Sequence, residues 1–129
     1  MGMYREMFLA SGRPQTAFGA FQFALEVVRK RYPLMTVGTL STFFYIVERS
    51  RSGPLTATDI ADDLQLSSTT VFRQCDQLAE GVNGRNGMQL IKKGPHPDDA
   101  RARALILSLS GLQLWTDLND LFTPLLEED

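Results

Sequence analysis

The sequence predicts a mainly α (α+β) fold, a winged helix-turn-helix with flanking N- and C-terminal dimerisation helices. Three observations predict it. Residues 54–81 read as helix, short turn, helix. Residues 90–110 read as a hairpin wing with a charged tip. The helices before and after this stretch, 14–31 and 111–127, carry more apolar surface than a winged helix needs for itself. With 129 residues, 43% of them hydrophobic, the chain is expected to form a single domain over 1–129.

The elements follow in order. Pro14 suits the first turn of a helix over 14–31. Phe18, Phe21, Leu25 and Val28 give that helix one apolar stripe, and Ala20, Phe23, Ala24 and Val27 give another. Arg29, Lys30 and Arg31 close it favourably for the helix dipole, and Pro33 ends it. Thr36 is expected to cap a second helix with Val37, Leu40, Phe43, Phe44 and Val47 inward, ending near Ser52-Gly53-Pro54. Leu55 and Thr56 form a short extended piece. Thr58 is the expected cap of the next helix, with Asp59 in its first turn and Ile60, Ala61 and Leu64 on its apolar face. Gln65-Leu66-Ser67 is the turn, with Leu66 buried between the two helices and Ser67 as the second cap.

The helix after Ser67 places Val71, Cys75 and Leu78 on one face, at core spacing. Its other face presents Ser68, Thr69, Thr70, Phe72, Arg73 and Gln77. Hydroxyls reach phosphates or base edges, an arginine can bond guanine through two atoms, and a glutamine can read adenine. Leu90 to Lys93 then form a strand that Gly94-Pro95-His96-Pro97 is expected to break. Asp98 to Arg103 form the loop and its return. Leu105, Leu107 and Leu109 alternate with Ala104, Ile106 and Ser108, the pattern of a half-buried strand. Ser110 is the expected cap of the last helix, which carries Leu112, Trp115, Leu118, Leu121, Phe122 and Leu125, with Pro124 expected to kink or end it.

Two motifs in this order resemble the MarR family of bacterial transcriptional regulators. The stretch LSSTTVFRQCDQLAEGV is similar to the family's recognition helix, and HPDDARARALILSLSGL to its wing. The resemblance covers residues 36–115. It implies a prokaryotic, homodimeric, sequence-specific DNA-binding regulator of transcription, a repressor at a near-palindromic site. The 67–81 helix would enter the major groove and the 94–103 wing the minor groove. Carried over by position, the DNA contacts fall on Ser68, Thr69, Thr70 and Arg73, joined by Gln77 from the helix reading, and on Arg101 and Arg103 in the wing. Asp99 matches the aspartate that braces the wing arginine; its other reading is a surface salt bridge of little energetic weight. The resemblance also implies a small aromatic effector, with Phe18, Phe21, Phe43, Tyr45 and Trp115 as candidate lining. The chain departs from the pattern at Ala100, where the family has its first wing arginine, at His96, where an aspartate is common, and in an insertion over 83–89.

Composition narrows the alternatives. The net charge is −2, yet residues 67–103 carry six basic and four acidic side chains, and residues 104–129 carry five acidic and no basic ones. A small basic surface of this kind suits double-stranded DNA with modest non-specific affinity. One histidine and one cysteine make no conventional zinc site, no glycine motif cradles a phosphate, and His96 in a wing is poorly placed for catalysis. The sequence is therefore read as a non-enzyme without metal or cofactor. The absence of a leader-like or membrane-spanning apolar run, with a single cysteine, predicts a cytoplasmic location. Two other readings stand beside the regulator: a winged-helix adaptor between proteins, and a DNA-binding protein of replication or plasmid maintenance.

Overall fold

A computed structural model of the chain describes residues 16–126. Its elements are α1 (Ala17–Arg31), α2 (Val37–Ser50), α3 (Ala57–Leu64), α4 (Ser68–Leu78), a 3-10 turn (Val82–Gly84), β1 (Ile91–Pro95), β2 (Arg103–Leu107) and α5 (Leu109–Leu126). By compactness the chain divides into two units, Thr36–Gln113 on one hand and Met1–Met35 with Leu114–Asp129 on the other, so α5 contributes to both. Pro14, expected in the first turn of α1, and Glu127 lie outside the described residues.

The unit Thr36–Gln113 is the winged helix. Four helix starts in it are fixed by side-chain caps. Thr36 accepts from the Thr39 N–H, and Ser67 accepts from the Thr70 N–H, as the sequence predicts. The other two differ from expectation. Thr56, not Thr58, caps α3, because Asp59 stands three residues on and bonds back to the Thr56 N–H, completing a reciprocal capping box. Ser108, not Ser110, caps α5: its Oγ accepts from the Gly111 N–H at 3.0 Å while donating to the Gln89 carbonyl at 2.6 Å. Such caps stabilise a helix by about 1 kcal/mol each.

The core is built from the inward faces the periodicity defines. Leu40, Phe43, Ile46 and Val47 of α2, Ile60 and Ala61 of α3, and Val71, Cys75 and Leu78 of α4 are all buried, with Leu55, Leu90, Ile91 and Leu105. Three residues expected inward are exposed instead: Val37 (78%) in the first turn of α2, Phe44 (37%) beside the buried Phe43, and Leu66 (41%). Gln65 takes a left-handed conformation, and the Leu66 N–H turns back to the Ala61 carbonyl at 3.0 Å. That closure ends α3 tightly and sends the Leu66 side chain outward. Two hydroxyls are buried as well. Thr39 and Thr42 of α2 donate to Gln77 and Gln74 of α4 at 3.2 and 2.5 Å, so the α2–α4 contact carries satisfied polar groups among its apolar ones.

The wing is an antiparallel pair in which Ile91 faces Leu107 and Pro95 faces Arg103. Strand β1 thus runs through Gly94 and Pro95 instead of breaking there. Proline lacks only the N–H, which the end of a two-stranded ribbon can do without. Arg103 belongs to β2 and not to the loop, and Leu109 belongs to α5, where it is 86% exposed. On the other side β2 is held by the Leu105 N–H donating to the Leu55 carbonyl at 2.8 Å.

The insertion over 83–89 is an ordered clasp. The N–H groups of Gly87, Met88, Gln89 and Leu90 donate to the carbonyls of Glu80, Gln77, Ala79 and Leu78 at 2.8–3.0 Å. These carbonyls lie at the C-terminal end of α4, where a helix leaves its acceptors unmet. The insertion therefore caps α4 and delivers Leu90 and Ile91 into the core at the start of the wing.

In the other unit, α1 is capped by Thr16 and buries Ala20, Ala24, Val27 and Val28. Its opposite stripe is open: Phe18, Phe21 and Leu25 are 86%, 52% and 36% exposed. Leu114 and Leu118 of α5 are buried, and Arg31 pairs with Asp117 at 2.8 Å. Helix α5 continues to Leu126, two residues past Pro124, so the proline does not end it. Among the described residues no helix is long and apolar enough to cross a membrane.

Candidate nucleic-acid interface

Helix α4 has three sides. Val71, Cys75 and Leu78 face the core; Gln74 and Gln77 face α2; the rest is open. Ser68, Thr69, Thr70, Phe72 and Arg73 are exposed on the open side. Arg73 makes no ion pair among the described residues, so its guanidinium is available for a phosphate or a guanine edge. The Thr70 hydroxyl accepts from Ser67 Oγ at 2.8 Å, which places it within the cap of the helix. Gln77, expected to read a base, is instead half-buried, with its Oε1 accepting from Thr39. It stands on the α2 side of the helix because the buried hydroxyl there needs an acceptor.

The wing tip is shaped by two local hydrogen bonds. His96 Nδ1 accepts from the Asp98 N–H at 3.0 Å, and Asp99 Oδ1 accepts from the Arg101 N–H at 2.9 Å. Asp99 thus braces the backbone at Arg101 and leaves the guanidinium out of the contact, in place of the arginine-carboxylate pairing expected from the sequence. Arg101 and Arg103 are both exposed, and neither forms an ion pair among the described residues.

A cleft of about 670 Å³ separates the N-terminal end of α3, the open flank of α4 and the wing. Phe72, Asp76, Lys93, His96, Arg101 and Arg103 are among its walls. Lys93 of β1 bonds Asp76 of α4 across it. This contact neutralises the one carboxylate on the open flank of α4 and ties wing to helix. Neither residue stands out in the sequence, since the pair joins positions 17 apart across two elements.

The aromatic residues proposed to line an effector pocket fall in both units. Phe43 is wholly buried in the core of the winged-helix unit. The Tyr45 hydroxyl donates to Asp63 at 2.5 Å, and Arg49 bonds the same carboxylate at 3.2 Å, clamping α2 to α3. The Tyr45 hydrogen bond, then the Arg49 guanidinium, hold the Asp63 carboxyl below its ordinary range. Phe18, Phe21 and Trp115 belong to the other unit. The cleft between α3, α4 and the wing, and a second one by Pro54 and Pro95, are lined by other residues.

Cys75 is 1% exposed, and burial pushes its thiol up to about 11, with the nearby Asp76 adding to the rise and Lys93 opposing it. The reactive species is the thiolate, which is scarce well below that value. The native protein is therefore expected to leave Cys75 unlabelled by a disulfide reagent at pH 8 and to label fully in urea. Rapid labelling of the folded chain would show that the thiol is accessible. Cys75 is a small core hydrophobe in this position.

No protein-family model matches the sequence, and no curated protein does. The fold, however, is shared with solved structures. The MepR–DNA complex of S. aureus matches over 81% of this chain and 71% of that one, at 21% identity and a TM-score of 0.64. Free MepR, a transcription regulator of the S. aureus multidrug efflux pump MepA, matches over 84% and 72%, at 21% identity and 0.60. A cysteine-to-serine mutant of E. coli MarR matches over 81% and 71%, at 14% identity and 0.55. The chain has the fold of these regulators, the winged helix that its motifs predict.

Proposed function

We propose that this chain is a sequence-specific DNA-binding transcriptional regulator of the MarR type, acting as a homodimeric repressor. The observation that carries the reading is the open side of α4. It presents Ser68, Thr69 and an unpaired Arg73, and a wing carrying Arg101 and Arg103 stands across one cleft from it. The helix would read the major groove and the wing the adjacent minor groove. The exposed stripe Phe18, Phe21 and Leu25 supports dimerisation through the flanking helices, since a second copy would remove it from water. A two-fold dimer would then place its two α4 helices about one DNA turn, roughly 34 Å, apart and require a near-palindromic site. That MepR, of the same fold, has been captured on DNA supports the reading.

The test is fluorescence anisotropy with the DNA upstream of the protein's own gene, against a scrambled duplex, across a salt series. Preferential binding that weakens steeply with salt is expected, and Arg101→Ala should flatten the salt slope by about one. A folded dimer that binds neither duplex at low salt would overturn the reading and favour an adaptor between proteins.

A further inference from the structure

The open side of α4 is polar except at one position. Around it stand the hydroxyls of Ser68, Thr69 and Thr70 and the guanidinium of Arg73, while Phe72 offers an aromatic ring that is 46% exposed. The core does not need this ring: Val71, Cys75 and Leu78 fill the inward face and are no more than 1% exposed. Phe72 lies mid-helix, one turn beyond Ser68 and directly before Arg73, and its wing-side flank borders the cleft with Lys93 and Arg101. A large apolar group is thus held among the side chains that are best suited to a base edge.

Base edges in the major groove are hydrogen-bonding almost throughout. The exception is the C5-methyl of thymine, which projects into the groove and is contacted by apolar side chains, phenylalanine among them. We propose that Phe72 is a specificity-determining residue that selects thymine through its methyl group, beside the base contacted by Arg73. The proposal rests on the DNA-binding reading above. It divides recognition between two neighbours: Arg73 supplies donors to guanine, and Phe72 supplies an apolar surface that cytosine cannot use.

Deoxyuridine keeps every hydrogen-bonding group of thymidine and lacks only the methyl. The probe is a duplex selected by the wild-type protein from a random pool, made once with thymidine and once with deoxyuridine throughout, with affinities read by anisotropy. The wild type is expected to bind the uracil duplex about fourfold more weakly for each methyl contacted. Phe72→Ala is expected to bind the two duplexes alike. Any effect of the missing methyl groups on DNA shape would persist in that variant and so separates from the contact itself. Phe72→Leu keeps apolar bulk and should retain discrimination, which guards against loss of the folded helix as the explanation. A wild type indifferent to the methyl, or an alanine variant that still discriminates, overturns the proposal and leaves the regulator reading intact. Failure to select any duplex overturns both.

Discussion

Arg73→Ala is expected to weaken binding to the specific DNA site by about tenfold to a hundredfold per subunit, the range of one bidentate base contact. The expectation rests on two features of the side chain. It is exposed on the open side of α4, and it has no ion pair among the described residues to give up on binding. It is exposed and forms no ion pair among the described residues, so the thermal midpoint of the variant should stay within a degree or two of the parent. Arg73→Lys separates charge from geometry. Lysine keeps the charge but lacks the planar fork, so it should recover much of the non-specific affinity and little of the specific preference. Equal losses on specific and scrambled DNA in the alanine variant would instead make Arg73 a phosphate contact.

Gly81→Ala is expected to destabilise the chain by about 3 kcal/mol or more, the largest effect on folding we foresee from one methyl group. Gly81 turns the chain out of α4 with φ of +100°, and a Cβ there would stand 1.7 Å from the Arg85 carbonyl oxygen. That atom is backbone, not the end of a flexible side chain, so relief requires the loop itself to shift. The Gly81 N–H also donates to the Asp76 carbonyl at 2.6 Å, so a shift of the turn would release an acceptor at the end of α4. Gly84→Ala is the control. Its φ is +70°, but nothing lies within 4 Å of the added Cβ, so the expected loss is only about 1 kcal/mol. Urea unfolding followed by helical circular dichroism compares the two. Similar losses would show that the clasp yields, and that backbone conformation alone sets the loss.

The sequence makes the inward faces legible because a helix repeats its burial every three to four residues, and Val71, Cys75 and Leu78 obey that spacing. It makes Thr36 and Ser67 legible as caps because each is the first hydroxyl residue before its helical apolar pattern begins. Thr56 and Thr58 compete for one junction, and the choice falls to a tertiary-looking but local detail, the carboxylate of Asp59 three residues after Thr56. Gln77 is misplaced by sequence reading for a different reason. Thr39 and Thr42 look like surface residues, yet both are buried against α4 and turn Gln77 and Gln74 toward themselves. Which polar groups pair across two helices depends on how the helices dock, and no local pattern records it. The role of the insertion is hidden likewise, since its hydrogen bonds run backward from residues 87–90 to carbonyls at 77–80.

The wing has one further consequence, for self-association. A two-stranded ribbon offers bare edges on which the strands of other molecules can pair, a common route to aggregation. Here β2 already donates to the Leu55 carbonyl, so a stretch of backbone guards that flank. Strand β1 carries Lys92 and Lys93 and ends in Pro95, which pairs two charges with a missing donor. The wing is thus poorly suited to stacking against the wing of another molecule. High local concentration along a DNA lattice would favour side-by-side occupancy over fibre growth.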